Sequence, residues 1–367
     1  MKTNSLLLQV KNIIETAKSQ IVRNVNLIMV YTHYEIGKLI VNDEQSGTAR
    51  AEYAKLTLKK LSEALTREYG KGYSVDNLEL FRKFYLRYQN RISESVMRKS
   101  KNLPSNNKSE SLIRKSKITQ LVIGQSLIPQ SAIAKSQLPF VLSWTHYIQL
   151  LKIDNESERR FYEIEAAKNN WSVRELNRQF NSSLYERLAL SKDKRSVEKL
   201  AKKGQIIEKP TDALKSHYVL EFLDLKEDGS YSESDMETAI INKLEHFMLE
   251  LGKGFLFEAR QKRLTFEGDS FYVDLSFYNR LLRCFVLIDL KIGKLTHQNI
   301  GQMQMYVNYH DRMIKTEDEN PTIGIILCKE ENKTVVEFTL PEDNKQIFAK
   351  QYLSVLPSKN DLKKQLE

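Results

Sequence analysis

The hydrophobic pattern of this chain changes its period near residue 217. Before that point apolar residues recur every three or four positions, as Val10, Ile14, Ala17 and Ile21 do, which is typical of amphipathic helices. After it, short apolar runs are separated by turns, which is typical of strands. The 367 residues are too many for one ordinary core, so the sequence predicts an all-α N-terminal region followed by an α/β domain.

The region after residue 217 predicts a definite order of elements. These are a helix at 234–251, strands at 255–266, 271–278 and 283–291, a helix at about 297–311 and a strand at 322–329. Three antiparallel strands between helices, followed by one more strand, predict an α/β sandwich with a central mixed sheet.

Changes in composition divide the chain into five predicted segments. They are a helical domain at 1–92, a basic Ser/Lys-rich variable insertion at 93–140, a helical continuation at 141–205, a linker at 206–216 and the α/β domain at 217–367. The first is helix-turn-helix-like, because a glycine-bearing turn precedes Ser74, the predicted N-cap of the next helix. The insertion repeats a degenerate Ser-to-Ser unit, which favours a linker or an extended arm.

The charge balance favours a polyanionic partner. Lys and Arg number 57 against 47 Asp and Glu, a net charge of +10. Nucleic acid is the expected partner and a membrane surface the weaker choice. No apolar run approaches the roughly 20 residues that span a bilayer, which argues against a membrane protein. The N-terminus lacks a signal-peptide pattern, so a cytoplasmic location is expected. Cys284 and Cys328 lie in apolar runs, which favours buried thiols over a zinc site.

Basic residues on two predicted helical segments are candidates for binding nucleic acid. Arg82, Lys83 and Arg87 alternate with aromatic residues, which suits phosphate neutralisation together with base stacking. The alternative is that the aromatics form a core and the basic residues an ordinary solvated face. Later in the chain, Arg174, Arg178 and Arg187 are predicted to be exposed on a helix that opens with the capping box Ser172–Glu175 and ends near residue 190.

Two acidic residues and a lysine occupy a predicted hairpin near the C-terminus. Asp274 lies in the strand 271–278, and Asp289 and Lys291 lie in the returning strand, in the pattern D…DxK. By alternation, Asp289 and Lys291 share one face, and Asp274 projects away from the apolar face of its own strand. The residues of that apolar face are Phe271, Val273, Leu275 and Phe277.

Two registers of this hairpin are compatible with the sequence. A turn centred at Leu281 and Leu282 places Asp274 directly opposite Asp289. The more turn-like Asn279-Arg280 shifts the register by about two residues and makes the two carboxylates diagonal neighbours. Either register lets both carboxylates reach one ion.

The hairpin residues suit a metal site beside a phosphodiester. The carboxylates of Asp274 and Asp289 and the backbone carbonyl of Leu290 offer the hard oxygens that Mg²⁺ prefers. Lys291 would orient or help deprotonate an attacking water, or stabilise negative charge on the phosphate. A cation would also offset the cost of placing Asp289 in an apolar run. The alternative is that these residues are ordinary charges at strand ends.

Three further polar residues are expected near the hairpin. Glu237 lies on the predicted helix 234–251, one turn after Glu233, and could approach the same pocket. Gln302 and Tyr306 are four residues apart and share a helix face, where they could hydrogen-bond a phosphate and stack on a base. Taken alone, these two residues suit a core-facing helix equally well.

Together these motifs resemble the PD-(D/E)XK nuclease superfamily, and in particular its YhcG-like bacterial branch. The resemblance rests on F-Y-V-D-L-S-F-Y at 271–278, L-I-D-L-K at 287–291, Q-M-Q-M-Y at 302–306 and W-S-V-R-E-L at 171–176. It implies a restriction-endonuclease-like C-terminal domain and an accompanying helical N-terminal domain. It covers nearly the whole chain except the insertion.

The resemblance also implies roles for individual residues. Asp274 and Asp289 are expected to bind the metal, Lys291 to be the catalytic lysine and Glu237 to be the acid on the first helix. Gln302 and Tyr306 match a Q-x-x-x-Y element and are expected to bind substrate. Many relatives have Glu where this chain has Asp289, a change within the family pattern.

The expected function is that of a Mg²⁺-dependent nuclease acting on DNA, with Mn²⁺ able to substitute. The helical N-terminal region would bind nucleic acid, with Arg82, Lys83, Arg87, Arg174 and Arg178 as candidate contacts. Family membership suggests defence against foreign DNA, or recombination and repair, and a homodimer or higher oligomer is possible. The alternative is a DNA-binding or assembly protein whose nuclease-like domain has little activity on its own.

Overall fold

A computed structural model describes residues 2–46, 51–101, 140–191, 194–225, 230–266 and 268–366. Two copies of the repeated Ser-to-Ser unit, at 111–116 and 131–136, lie outside the described residues. The chain divides into two compact units, residues 1–154 and 155–367. Within the described residues, no helix combines the length and the apolar character needed to cross a membrane.

The first unit is built of helices. They are α1 (Lys2–Ser46), α2 (Ala51–Tyr69), α3 (Val75–Lys101) and α4 (Trp144–Leu150). The N-cap prediction is confirmed, because Ser74 Oγ accepts a hydrogen bond from the backbone N–H of Asn77 at 3.3 Å.

Aromatic rings form the core of the first unit. Phe81, Phe84 and Tyr88 are buried, and the ring of Phe84 lies 5.3 Å from that of Trp144 and 5.0 Å from that of Phe140. Of the two interpretations open for these three aromatics, the core interpretation is therefore correct, because their rings pack against one another and leave little surface for a base.

The second unit begins with five helices. They are α5 (Glu156–Asn169), α6 (Val173–Asn181), α7 (Leu184–Ala189), α8 (Lys194–Lys203) and α9 (Pro210–Ala213). The capping box of Ser172 and Glu175 is present as predicted. The prediction of one unbroken helix to residue 190 is wrong, because Ser183 adopts a left-handed conformation (φ 54°) that separates α6 from α7.

A six-stranded mixed sheet forms the centre of the second unit. Its strands are β1 (His217–Val219), β2 (Phe255–Phe266), β3 (Asp269–Asn279), β4 (Cys284–Lys294), β5 (Ile323–Glu330) and β6 (Ile347–Leu353). The order is β1-β6-β5-β4-β3-β2, antiparallel from β2 to β4 and parallel from β4 through β5 and β6 to β1. An all-α region followed by a domain with a central mixed sheet is thus confirmed.

Helices cover both faces of the sheet. They are α10 (Glu233–Asn242), α11 (Leu244–Leu251), α12 (His297–Tyr309) and α13 (Lys333–Thr339), with one π-helical turn (His310–Ile314) after α12. The last helix, α14 (Lys359–Lys364), packs against α7. One core packs α10 and α11 against Leu275 and Ile288, and the other packs α12 against Leu287. The predicted single helix over 234–251 is wrong, because it is interrupted at Lys243 (φ −120°, ψ 35°).

The structure selects the first of the two hairpin registers. Leu275 pairs with Ile288, and Asn279 pairs with Cys284, so the turn is centred at Leu281 and Leu282. Asn279 lies before the turn, because its Oδ1 accepts hydrogen bonds from the backbone N–H groups of Leu281 and Leu282 at 3.0 and 3.1 Å. Continued by one residue, this register places Asp274 opposite Asp289.

The predicted apolar face of β3 is wrong in one respect. Phe271 and Val273 pack in the core beneath α12, whereas Leu275 and Phe277 pack in the core beneath α10 and α11. The change of face falls at Asp274, where β3 has left its pairing with β4. A strand released from its ladder can twist more strongly, so alternation does not carry across this position.

Candidate active site

Asp274 lies where β3 and β4 separate. The ladder between the two strands ends at Leu275 and Ile288. One residue further on, the carboxylate of Asp274 takes the place of the missing backbone partner, because its Oδ2 accepts the backbone N–H of Leu290 at 2.8 Å. The separation of the strands therefore creates the space between Asp274 and Asp289 and also fixes one oxygen of Asp274.

The ammonium group of Lys291 lies beside two of the predicted metal ligands. Its Nζ lies 2.8 Å from Oδ2 of Asp289 and donates to the carbonyl oxygen of Leu290 at 3.1 Å. It also lies 3.4 Å from a carboxylate oxygen of Glu233. A positive charge thus contacts two of the oxygens that the sequence predicts as metal ligands.

Asp289 is buried with less compensation than a carboxylate ordinarily needs. It is only 2 % exposed, and its Oδ2 has the ion pair with Lys291 but no hydrogen bond of normal geometry. Burial, with a smaller contribution from the charge of Asp274, raises the pKa of Asp289 to about 7, although Lys291 acts in the opposite direction. An under-compensated buried carboxylate beside a second one is an environment that a cation would stabilise.

The donor set fits a hard divalent cation that keeps some of its waters. Asp274, Asp289 and the carbonyl of Leu290 supply only oxygen, and Mg²⁺ is ordinarily bound through one or two carboxylates with waters or phosphate completing its shell. Among the described residues, no group of three or more His, Cys, Asp or Glu side chains is arranged to hold a metal by itself. The site therefore suits an ion shared with a phosphate-bearing substrate.

The charges of Asp274 and Lys291 are set by the same neighbourhood. Burial raises the pKa of Asp274, although the N–H of Leu290 and the ammonium of Lys291 oppose the increase. Burial alone would lower the pKa of Lys291, but the carboxylates of Asp289, Glu233 and Asp274 together offset burial and raise it. Lys291 therefore carries its proton at neutral pH and is suited to stabilising negative charge rather than to accepting a proton.

Glu237 reaches the site through another residue. It is buried, and its carboxylate accepts hydrogen bonds from the guanidinium of Arg260 and from the side-chain amide of Gln261. The same amide of Gln261 donates to Oδ1 of Asp274 at 3.0 Å. The structure thus connects Glu237 to Asp274, while Glu233, one turn earlier, lies beside Lys291.

Sequence reasoning did not assign Glu233 or Gln261 to the site. Glu233 lies four residues before Glu237 and follows the helix cap Ser232, so its helical spacing was a usable signal. The position of Gln261 gave no such signal. Alternation along a strand assumes an extended backbone, but Gln261 adopts a left-handed conformation (φ 47°) inside β2, so its side chain points in a direction that alternation does not predict.

Gln302 and Tyr306 form a hydrogen-bonded pair near the two carboxylates. Gln302 donates to the hydroxyl of Tyr306 at 2.5 Å, and that hydroxyl donates to the carbonyl of Tyr272 on β3 at 3.0 Å. The prediction that Tyr306 stacks on a base is wrong, because its ring is 1 % exposed and packs in the core beneath α12. Burial raises the pKa of Tyr306, and Asp289 and Asp274 add to the increase.

Of the three arginines predicted to be exposed near α6, Arg187 is buried and Arg178 is mostly buried. Arg178 has 12 % of its side chain exposed and pairs with Glu221 and Glu250 at 3.3 Å, while Arg187 is fully buried against Glu250. The prediction is wrong for both because Glu250 lies inside the fold and requires cationic partners. Arg174, four residues before Arg178 on the same helix, is exposed as predicted.

The basic residues of α3 are only partly available. The guanidinium of Arg82 donates to the carboxylate of Glu44 at 2.7 and 2.9 Å, and Arg87 donates to Asp154 at 3.0 Å. Lys83 is exposed between them. The helix therefore presents a surface of mixed charge rather than a purely basic one.

Comparison with known proteins places the chain in one family along nearly its whole length. Residues 211–367 match the YhcG PDDEXK nuclease domain, and residues 9–187 match the DUF1016 N-terminal domain. The Escherichia coli strain K12 protein named "Putative nuclease YhcG" is 37 % identical over 360 residues, which cover 97 % of this chain and 91 % of that protein.

Two solved structures were matched to part of this chain. A repair endonuclease from Pyrococcus abyssi is 20 % identical over 34 % of this chain and 49 % of its own, with a TM-score of 0.24. The EndoMS–dsDNA complex is 18 % identical over 35 % of this chain and 46 % of its own, with a TM-score of 0.25. Each alignment spans about half of the solved chain. With both of its domains matched and a full-length relative at 37 % identity, the chain belongs to the YhcG family of PD-(D/E)XK nucleases.

Proposed function

We propose that this chain is a divalent-metal-dependent nuclease that hydrolyses phosphodiester bonds of DNA. The observation that carries the proposal is the arrangement around the Lys291 ammonium, which contacts the buried carboxylate of Asp289 and the carbonyl of Leu290, with Asp274 across the gap between the strands. Buried carboxylates with raised pKa values beside a lysine are typical of catalytic sites rather than of structural ion pairs.

Asp274, Asp289 and the carbonyl of Leu290 would hold the ion. When bound, a divalent cation lowers the pKa of a water and polarises a phosphoryl oxygen. Lys291 keeps its proton and would stabilise the negative charge that develops on the phosphate. The pair of Gln302 and Tyr306 would fix the distance between α12 and β3, because the Tyr306 hydroxyl bonds to the backbone of β3.

Exposed basic residues would bind the nucleic acid. Arg174 and Lys83 present free surface, and the chain carries a net charge of +10, which favours a polyanion without regard to sequence. Defence against foreign DNA, or recombination and repair, is the biological role that the family resemblance suggests. Because each chain has one set of catalytic residues, a dimer is the simplest arrangement that would cut both strands of a duplex.

A cleavage assay tests the proposal. Purified protein is incubated with linear, circular, single-stranded and branched DNA, with Mg²⁺ or with a chelator. We expect Mg²⁺-dependent cleavage of at least one substrate that is lost in Asp289→Ala and Lys291→Ala and kept in Asp269→Asn, a matched control at an exposed position of β3. Persistent cleavage in both site variants contradicts the proposal. DNA binding without cleavage by the wild-type protein would support the assembly-protein alternative.

A further inference from the structure

Gln261 has a backbone conformation that β2 does not need. Its φ of 47° lies in the left-handed region, which a residue with a side chain rarely occupies unless its surroundings compensate for the strain. A second irregularity lies nearby, because the register between β2 and β3 shifts between Phe257 and Ala259. Strain of this kind within a strand points to a function for the side chain that it redirects.

The redirected side chain faces Asp274. Arg260 pairs with Leu275 and Lys262 pairs with Val273, so Gln261 lies opposite Asp274, and neither of these two residues takes part in the ladder. In place of backbone pairing, the side-chain amide of Gln261 donates to Oδ1 of Asp274 at 3.0 Å. The same nitrogen donates to the carboxylate of Glu237.

Asp274 is therefore held from both neighbouring strands. Its Oδ2 accepts the backbone N–H of Leu290 from β4, and its Oδ1 accepts the amide of Gln261 from β2. With both oxygens fixed, the plane of the carboxylate is fixed as well, and each oxygen keeps a further lone pair for a ligand. Glu237 is held beside them by Arg260, whose guanidinium also donates to Thr238 Oγ1 at 3.1 Å.

We propose that Gln261 is a positioning residue of the metal site, whose amide orients the carboxylates of Asp274 and Glu237 for a divalent cation. The inference rests on the proposed function, because it concerns the same site. Gln261 is exposed, so its hydrogen bonds contribute little to the stability of the fold, while its backbone conformation lowers that stability. Both facts favour a role in orientation over a role in folding.

Two substitutions separate these roles. Gln261→Gly removes the amide and relieves the left-handed backbone, whereas Gln261→Met keeps the length of the side chain and removes the hydrogen-bond donor without adding a charge. Arg283→Gly is the matched control, because Arg283 has a φ of 51° and is exposed in the turn between β3 and β4. All are compared with the wild-type chain by calorimetric titration with MnCl₂, by melting temperature without metal, and by the Mg²⁺ concentration that gives half-maximal cleavage.

We expect both Gln261 variants to bind Mn²⁺ about 10–100-fold more weakly, the usual effect of removing a residue that orients a metal ligand. The half-maximal Mg²⁺ concentration should rise by a similar factor, while the cleavage rate at saturating Mg²⁺ changes less. Gln261→Gly should melt at or above the wild-type temperature. Arg283→Gly should bind Mn²⁺ and cleave like the wild type.

Two results would overturn the inference. Wild-type Mn²⁺ affinity in both Gln261 variants would show that the amide does not orient the ligands. A melting temperature of Gln261→Gly well below that of the wild type would show that the residue serves the fold instead. Failure of the proposed function is distinct from both, because in that case the wild-type chain itself would neither bind Mn²⁺ nor cleave DNA.

Discussion

Glu250 and Asp289 are both carboxylates buried in the second unit, but their surroundings differ. Glu250 is fully buried and receives hydrogen bonds from Arg187, from Arg178 at 3.3 Å and from the backbone N–H of Val219 at 3.1 Å, with Lys215 at 3.4 Å. Asp289 has one cation, Lys291, and an oxygen without a normal hydrogen bond.

The pKa values of the two carboxylates diverge accordingly. Burial raises the pKa of both, but Arg187, Lys215 and Arg178 lower that of Glu250 to about 2, whereas Asp289 stays at about 7. The chain thus neutralises Glu250 with its own side chains and leaves Asp289 incompletely neutralised. A buried charge that the protein does not fully balance marks a site for an external cation, whereas a balanced one marks structure.

The largest expected effect is on stability and comes from the Glu250 cluster. Glu250→Gln keeps the side-chain volume but leaves Arg187 and Lys215 buried without their counter-charge, so we expect a loss of roughly 3–5 kcal/mol in the free energy of unfolding. Urea unfolding measures it. Lys202→Ala, which breaks an exposed pair with Glu198, is the control and should unfold like the wild type. Unchanged stability of Glu250→Gln would contradict the structural role of Glu250 that distinguishes it from Asp289.

The same kind of substitution at Asp289 should lower the cleavage rate without lowering stability. Asp289→Asn removes an under-compensated buried charge, so without metal the variant should melt at or above the wild-type temperature. Its cleavage rate should fall by about 10²–10³-fold, the scale of losing one preorganised electrostatic group. Melting and cleavage are measured on the same preparation, with Asp269→Asn as control. If Asp289→Asn melted below the wild type and still cleaved DNA at the wild-type rate, Asp289 would be a structural carboxylate like Glu250.

The pH dependence of stability should differ between the clusters. Asp289 has a folded-state pKa raised from 3.8 to about 7, so its contribution is fully present below about pH 4 and is lost as pH rises through about 7. Without metal, the wild type should therefore lose about 2 kcal/mol relative to Asp289→Asn between pH 5 and pH 7. Urea unfolding of both proteins measures this difference, and Mg²⁺ should reduce it.

Glu250 has the opposite sign. Its folded-state pKa is lowered from 4.5 to about 2, so its contribution is present above about pH 4.5 and is lost as pH falls toward 2. In Glu250→Gln, the acid-induced loss of stability in this window should be smaller than in the wild type. If stability changed with pH in the same way in the wild type and in each variant, the pKa shifts of Asp289 and Glu250 described above would be contradicted.

The smallest expected effect concerns two arginines on α6. Arg174→Ala should weaken DNA binding only a few-fold and reduce the salt dependence of binding by about one phosphate contact. Arg178→Ala removes a partner of Glu250, so it should lower the melting temperature while leaving the salt dependence of binding unchanged. Binding titrations over a series of salt concentrations distinguish them. A weaker salt dependence of binding in Arg178→Ala would show instead that Arg178 contacts the DNA.

The strands and the acid–lysine pattern could be predicted from the sequence because they depend on local periodicity. Strand 255–266 has the predicted bounds, and Asp274 lies on one strand and Asp289 and Lys291 on the next, as predicted. The register could not be predicted, because turn propensity favoured Asn279-Arg280. In the structure, the side chain of Asn279 instead caps a longer turn.

The remaining features depend on tertiary contacts that local patterns do not encode. Arg178 and Arg187 occupy positions typical of an exposed helix face, and they are buried because Glu250, more than 60 residues later, needs their charge. Gln261 reaches Asp274 only through a left-handed backbone that glutamine rarely adopts. The change of face in β3 at Asp274 likewise coincides with the end of its pairing with β4, which is set by the fold as a whole.

Direct titration with Mn²⁺ is the most decisive measurement. We expect a divalent cation to complete the charge balance between Asp274 and Asp289, as Arg187, Lys215 and Arg178 do at Glu250. Calorimetry at pH 8 should show Mn²⁺ binding to the wild-type chain and to Asp269→Asn, and its loss in Asp289→Asn. Equal Mn²⁺ binding by Asp289→Asn and the wild type, or no binding by the wild type, would contradict the claim.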